Sequence, residues 1–470
     1  MKRIAVIGGG VSGLAAACEL EKKIKNGAEL EYVIFEASSR FGGVLQTENI
    51  DDFAIEAGPD SFLTEKTWAA DLCRELGLGN QLISSNDGER KTYILVKGRL
   101  VPLPDGLMFM VPTKIQSTLL SPLFSWTTKL RMLAEWFYRP ASEVHESTVA
   151  EFVQRHYGRE MVERLADPLL AGVYGGSADE LSANAVLPRL VELEAKYGSL
   201  GRGMVALRKV RREKQSSIFT SLRNGMQEMS DAMLSRIPEA ARRPNAPVQS
   251  VAPESGKWLV VSNERTEEFD GVVFALPAYV CADLLQSSAP QQFSSDLRQI
   301  PYSSSVTVAL AYDEDIRVPP GFGFLVPRSE GKRILACTFV HQKFAGRAPG
   351  SKALLRCFLG GSRDEQILHS TDKELEAIVR RELGEILGLS ATPLFTRIYR
   401  WPKAIAQYIV GHKAIVDRIK SMLSEVPGLA LAGNAYGGIG IPDCLRSGSE
   451  AAMKVLSDFA ITSPRARVNQ

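Results

Sequence analysis

The chain has 470 residues, 45% apolar and 23% charged, which is too long for one compact core and implies two or three domains. Its 56 basic and 54 acidic side chains leave a net charge of +2, which argues against nucleic-acid binding. The six cysteines lie far apart with no C-x-x-C pair, and the five histidines show no H-x-x-x-H spacing, so reduced thiols in a cytoplasmic protein are expected rather than disulfides or zinc. No stretch of about 20 residues is apolar enough to span a bilayer.

The N-terminus "MKRIAVIGGGVSGLAAACELEKKIKNG" admits two readings, a secretory signal or a nucleotide-binding turn. "RIAVIG" has the continuous Ile/Val character of a strand buried on both faces. From Gly13, Leu14, Ala17, Leu20 and Ile24 share one helical face, and Gly27 suits the helix end. A second strand, Tyr32–Phe35, closes on Glu36. Strand, glycine turn, helix, strand and acid is the dinucleotide-binding order, with Gly8, Gly9, Gly10, Val11, Ser12 and Gly13 as G-x-G-x-x-G. Gly8 makes the turn, Gly10 lets backbone approach a pyrophosphate, and Gly13 allows close helix–strand packing. Glu36, about 20 residues on, is placed to bond ribose hydroxyls. A signal peptide would end in small residues, whereas Glu19, Glu21 and Lys22 follow here.

Farther along, "TYILVKGRLVPLP" (Thr92–Pro104) reads as strands. Between Thr113 and Lys196, apolar residues recur at helical spacing (Val149, Phe152, Val153; Met161, Val162, Leu165). The basic run "LRKVRREKQSS" (Leu207–Ser217) reads as a solvated linker, with a patch for anionic lipid heads or an acidic substrate as the alternative. A strand at Val248, a hairpin and "DGVVFALP" bring a second nucleotide-type segment. The stretch Ser304–Gly361 is strand-rich and suggests an antiparallel sheet. A third nucleotide-type segment follows: "GLALAGN" as a buried strand, "AYGGIGIPD" as a glycine loop, and "CLRSGSEAAMKVL" as a helix. The tail "TSPRARVNQ" reads as disordered.

The expected fold class is therefore α/β, with a discontinuous Rossmann-like nucleotide domain (1–64, 220–296, 402–470), an antiparallel-sheet substrate domain (65–112, 297–401), a helical insertion (113–196) and a linker (197–219). Apolar residues of Gly106–Leu130 suit either the cleft and core or a membrane surface, which makes the insertion a candidate for peripheral attachment.

Two resemblances narrow this reading. The arrangement Glu36, Arg40, Gly42, Gly43 resembles the extension of flavin amine oxidases, which implies FAD. "EAGPDSFLTEK", "DPLLAGVYGGSADELSANAVLPRLVELE", "GFGFLVP", "FLGGSRDEQ", "WPKAIAQYIVGHK" and "GNAYGGIGIPDCLRSG" together resemble the FAD-dependent protoporphyrinogen oxidase family, including its bacterial forms that act on coproporphyrinogen III. The resemblance covers nearly the whole chain. It implies that Gly8 to Gly13, Glu36, Ala37, Arg40, Gly42, Gly43 and Val44 hold the adenosine and pyrophosphate half of FAD. Gly58, Pro59, Asp60 and Ser61 would lie along the ribityl and flavin side. Val248 would meet adenine through its backbone, Trp401 would pack beside the ring, and Gly433, Ile439, Gly440 and Ile441 would face the flavin or phosphates. Tyr174, Gly175 and Gly176 would form a loop at the substrate, and Leu325, Phe339 and Phe358 would hold the macrocycle. Ordinary core burial is the alternative for Trp401, Leu325, Phe339 and Phe358. Some relatives have Arg or Lys where this chain has Val44, which leaves only a backbone contact there.

The implied reaction is six-electron dehydrogenation of protoporphyrinogen IX or coproporphyrinogen III in haem synthesis, with oxygen giving peroxide, or a quinone, as acceptor. It requires no catalytic side chain beyond positioning, and no triad or acid–base dyad is visible. Arg90, Lys91 and Lys114 are open candidates for anchoring propionates. Another amine oxidase or polyene desaturase is the alternative enzyme, and a scaffold that has kept the fold is the non-enzymatic one. Monomer and homodimer both stay open.

Overall fold

The computed structural model describes residues 1–108, 110–112, 114–139, 146–210, 217–286, 290–313 and 316–459. Thr113, most of the basic run and the C-terminal tail lie outside the described residues.

A five-stranded parallel sheet takes its strands from three distant parts of the chain, in the order Arg242–Arg243, Leu30–Phe35, Lys2–Ile7, Gly271–Phe274, Leu429–Leu431. Strand alternation divides the first strand between two cores. Ile4 and Val6 pack with Leu14, Ala17, Leu445 and Ala452, whereas Ala5 and Ile7 pack with Val33, Phe35, Phe269 and Cys281. The first helix, Val11–Lys25, and the last, Ile441–Asp458, lie on the same face of this sheet and against each other. A Cβ on Gly448 of the last helix would stand 2.1 Å from the Ser12 carbonyl oxygen, so only glycine allows their approach. Gly27, at φ +91°, follows the end of the first helix as expected.

The second sheet has seven strands, in the order Phe395–Ala406, Tyr302–Tyr312, Ala353–Gly360, Ile334–Phe339, Gly323–Leu325, Thr92–Val96, Arg99–Pro102. It is mixed rather than wholly antiparallel: Gly323–Leu325 runs parallel to Thr92–Val96, because that strand arrives from a remote part of the chain and not through a hairpin. One face carries Val306, Val308, Leu310, Phe324, Cys337, Phe339 and Cys357 into a core closed by Leu375, Val379 and Leu383 of the helix Asp372–Leu387. The other face presents Leu325, Ala336, Phe358, Thr307 and Tyr399 at one level of the register.

The described residues between Ile115 and Val210 are mainly helical, with a π-helical turn at Val162–Ala166. The stretch expected as a linker, 197–219, is helical over Leu200–Val210. It folds because its N-terminus is capped from within the core: Glu135 accepts from Leu200 N (2.6 Å), Ser199 Oγ (3.0 Å) and Gly201 N (3.2 Å). In the segment weighed for membrane contact, Met110, Val111, Leu123 and Phe124 are buried, while Leu120, Trp126 and Leu130 are exposed. No helix among the described residues is long and apolar enough to cross a membrane.

His156 holds this helical region together. Its Nδ1 lies 3.0 Å from Glu135 and its Nε2 3.1 Å from Glu194, and the ring is fully buried. With a carboxylate on each nitrogen, the ring serves as an imidazolium that donates twice. Burial lowers the histidine pKa, but the hydrogen bonds to Glu135 and Glu194 outweigh it and leave the value raised above the usual 6.5. A raised folded pKa contributes stability that is complete below the unfolded value and is lost as pH rises through the folded one. The thermal stability of the wild type relative to His156→Gln should therefore be greatest near pH 6 and shrink steadily on the alkaline side, as read by thermal unfolding across pH. A difference independent of pH would contradict the imidazolium.

Candidate functional site

The site is built at the end of the parallel sheet where the glycine turn leaves the first strand. Gly8 has φ +105°, and a Cβ there would stand 2.4 Å from Ala275 O; one on Gly13 would stand 1.8 Å from Gly8 O. These two positions need glycine for conformation and for approach. Gly9 donates to Glu36 Oε2 at 2.8 Å, and Ser38 donates to Oε1 from its backbone N (2.8 Å) and its Oγ (2.7 Å). Glu36 is thus fixed at the end of its strand with lone pairs to spare. Ala246 N bonds Glu36 O at 2.8 Å and Asn245 N bonds Ser38 O at 2.9 Å, which brings the chain approaching Val248 beside this acid. Ala37 lies between Glu36 and Ser38 in the same turn.

Gly42 and Gly43 have φ +107° and +56°, and their loop is tied to the turn by Gly42 N to Gly9 O at 2.8 Å. A Cβ on Gly43 would stand 3.0 Å from Gly10 Cα, so the two backbones face each other across a narrow gap. Arg40 donates to Phe41 O and Leu45 O, both at 2.9 Å, and to Gly43 O. The guanidinium therefore holds the loop carbonyls, and its contribution to the cradle is to shape it. Val44 is partly exposed beside it, and its carbonyl oxygen is where a Cβ on Gly58 would fall, at 2.0 Å.

Both helices at this end start without a side-chain cap. Gly10 is the N-cap of the first and Gly440 that of the last. Their first-turn N–H groups have no acceptor within the helix, and both macrodipoles present positive ends. Ile439 precedes Gly440, Ile441 opens the helix, and Gly433 N bonds Ser447 Oγ at 3.2 Å, which anchors the loop to that helix. Bare backbone donors, glycines that a Cβ would block and an acid at the second strand fit the phosphates and ribose of a dinucleotide.

Beside this cradle lies the face of the mixed sheet that carries Leu325 and Phe358. Trp401 Nε1 donates to Ala57 O at 2.9 Å, which ties the sheet to the segment Gly58, Pro59, Asp60, Ser61. Lys343 reaches Asp60 at 3.0 and 3.1 Å, Arg356 bonds Gly58 O, and Ser221 Oγ bonds Asp60 O at 2.7 Å. Burial raises the Asp60 pKa, but Lys343 and Arg356 reverse this and hold the carboxyl well below the usual range. Lys343 and Arg356 were not singled out from the sequence; the signal was an arginine inside the otherwise apolar strand "ALLRCFLG".

Tyr174 and Gly175 close the other side. Gly175 is left-handed at φ +60°, Gln407 Nε2 donates to Tyr174 O (2.7 Å) and Ser303 Oγ (2.9 Å), and a Cβ on Gly176 would meet Gln407 Oε1 at 2.2 Å. Burial, and then nearby Asp443, push the Tyr174 phenol up to about 12, so it stays protonated. Tyr174 lies 6.3 Å from the Tyr408 ring, and Tyr408 OH is spent between Asn434 O (2.6 Å) and Gly438 N (2.8 Å). Gly172 of the same helix packs on Leu325: a Cβ there would be 3.3 Å from Leu325 Cδ2.

Leu325 and Phe358 share this face, but Phe339 does not. It is fully buried on the opposite face, with its ring 6.0 Å from Phe324. The register explains this: Ala336 and Thr338 stand opposite Phe358 and Arg356, so Phe339, one residue on, points the other way. Arg90, Lys91 and Lys114 are all exposed, and Lys91 O accepts from Phe322 N at 2.8 Å.

A glycine-turn nucleotide cradle joined to a mixed sheet fits a dinucleotide-dependent oxidoreductase of two-sheet architecture. The chain belongs to the flavin-containing amine oxidoreductase family, whose model matches residues 11–456. That membership makes it a flavin-dependent oxidoreductase, and FAD is the cofactor the family implies. It is 34% identical to coproporphyrinogen III oxidase of Bacillus subtilis (strain 168), over 97% of this chain and 98% of the relative. To mitochondrial protoporphyrinogen oxidase of Nicotiana tabacum it is 30% identical, over 97% and 95%. The crystal structure of a candidate protoporphyrinogen oxidase from Exiguobacterium sp. 255-15 matches with TM-score 0.87 at 29% identity, over 98% and 99% of the two chains. A putrescine oxidase structure, at TM-score 0.70 and 17% identity, shares the fold.

Gly43→Val should weaken FAD binding at least tenfold, measured by quenching of flavin fluorescence, because the side chain would fill the gap to Gly10 at a strained φ. Unchanged affinity would mean that the cofactor does not pass between these loops.

Proposed function

We propose that the chain oxidises a porphyrinogen to the corresponding porphyrin in haem synthesis, with coproporphyrinogen III as the favoured substrate and protoporphyrinogen IX as the alternative. The observation that carries this reading is the alignment of Leu325, Ala336 and Phe358 at one level of the sheet face that Trp401 and Arg356 join to the segment Ala57–Gly58, with Leu325 and Phe358 only partly buried. A broad tetrapyrrole ring is apolar on both faces and matches such a wall. Relatives named coproporphyrinogen III oxidase at 34% and 32% identity favour that substrate.

The chain's own part is to bind, orient and exclude. Glu36, the glycine turn, Gly43 and the two bare helix ends would hold FAD, which when bound supplies two-electron redox chemistry. Trp401 fixes the Ala57–Gly58 backbone at the boundary between cofactor and sheet. Leu325 and Phe358 support one face of the macrocycle, and the Tyr174–Gly176 loop, locked by Gln407, closes the other side. Removal of six electrons and six hydrogens then takes three rounds, with oxygen or a quinone as the terminal acceptor. Arg90, Lys91 and Lys114 are the candidates for propionate anchors.

Either colourless porphyrinogen, added in air to the FAD-loaded protein, should yield fluorescent porphyrin, with the rate on coproporphyrinogen III at least tenfold higher. Absence of fluorescence with both substrates would refute the reading, and a preference for protoporphyrinogen IX would reverse the substrate assignment. Phe358→Ala should raise KM several-fold. Phe339→Ala should leave KM unchanged and cost roughly 3–5 kcal/mol of stability as a core deletion.

A separate surface bears on peripheral membrane contact. Leu120, Trp126, Leu130 and Phe137 are 78, 72, 63 and 78% exposed on the helical region, which supports peripheral contact with a membrane surface. Trp126→Ser with Leu130→Ser should abolish co-sedimentation with anionic vesicles while leaving FAD binding intact. Equal sedimentation of the variant would remove that contact.

A further inference from the structure

Beneath the segment Glu56–Ser61 lies a group of buried charges larger than the fold needs. Glu56 and Asp60 supply two carboxylates, and Lys343, Arg347 and Arg356 supply three cations. Arg347 pairs with Glu56 at 2.9 Å. Glu56 also accepts from Met226 N and Thr47 Oγ1, both at 2.8 Å, so it is fully matched. Lys343 takes both oxygens of Asp60. Arg356 shares Asp60 with Lys343 and has no carboxylate of its own. It is 2% exposed, 3.8 Å from an Asp60 oxygen that Lys343 already holds, and its Nε has no hydrogen-bond partner among the described residues.

A guanidinium does not shed its proton, and burying one without a matching anion is strongly unfavourable. The surplus positive charge therefore points to an anion supplied from outside the chain. Arg356 lies at the meeting point of the two halves of the site. Its Nη2 bonds Gly58 O, in the segment expected along the flavin, and its guanidinium stacks 5.0 Å over the ring of Phe358, on the face proposed for substrate.

We propose that Arg356 is a positioning residue that matches the charge of the reduced cofactor. Bound FAD would supply two-electron redox chemistry, and its reduced form would carry one negative charge for this guanidinium to balance. Arg356 thereby favours reduction. Asp60, the nearest carboxylate, acts in the opposite sense. The inference rests on FAD occupying the cradle.

The test is the midpoint potential of bound FAD, obtained by dithionite titration of the FAD-loaded protein against a reference dye. Arg356→Met should lower the midpoint by a tenfold or greater change in the reduction equilibrium, about 30 mV for two electrons. Asp60→Asn should raise it, and Arg356→Lys should stay near the wild type. Opposite shifts are the signature, because damage to the fold would not move the two variants in opposite directions. Shifts of the same sign, or an unchanged Arg356→Met, would overturn the inference. If Arg356→Met does not retain FAD, Asp60→Asn decides: a midpoint at or below the wild type overturns it. A wild-type protein that takes up no FAD shows no flavin absorbance before any titration, and that result would remove the cofactor reading as well.

Discussion

The structure depends on the close approach of two helices that both begin uncapped at one end of the parallel sheet. Val11–Lys25 and Ile441–Asp458 meet because Gly448 offers no side chain to the Ser12 backbone. Their bare N–H groups make that end of the sheet a place for phosphates. Everything around it preserves the opening. Gly8 and Gly13 keep the turn tight, Gly43 keeps the facing loop thin, and Arg40 holds that loop by its own carbonyls. A side chain at Gly43 would fill the gap to Gly10, and one at Gly8 or Gly13 would collide with Ala275 O or Gly8 O and displace the turn.

The second sheet answers a different constraint. Its two faces have separate tasks, and strand alternation keeps them apart. One face is a conventional core beneath the helix Asp372–Leu387. The other packs Ala309, Ala311 and Leu354 against Phe53 and Ile55, leaves Leu325 and Phe358 partly buried, and is joined to the cradle side by Trp401, Lys343 and Arg356. These three side chains cross from the mixed sheet and its adjoining helix to the segment Ala57–Ser61 and set the distance between the halves of the site. The helical region closes the site from a third side, and the buried His156 between Glu135 and Glu194 locks it internally.

Local order was readable in the sequence where a single physical rule dominated. The glycine turn, the acid at Glu36 and the third nucleotide segment each carry their own backbone requirement, and the structure brings Glu36 and Gly9 together as that pattern implies. Phe339 was not readable, because a strand's pleat decides its face and the bulge between Ile334 and Ala336 shifts the register. The helix within 197–219 is not legible in the sequence for a similar reason: the cap on Leu200–Val210 comes from Glu135, far away in sequence. The parallel pairing of Thr92–Val96 and the charges gathered on Asp60 are also products of long-range topology. In sequence they appear only as a lone arginine in an apolar strand and a lysine ending a short helix.

The proposed function requires the cofactor cradle and the Phe358 face of the mixed sheet to form one site for a flat tetrapyrrole. A crystal structure of the FAD-loaded protein with the product porphyrin tests this most directly. The account predicts flavin between the two helix N-termini and the macrocycle in van der Waals contact with Leu325 and Phe358, with Phe339 untouched behind the sheet. A porphyrin bound away from that face, or a flavin lying outside the gap between Gly10 and Gly43, would contradict it.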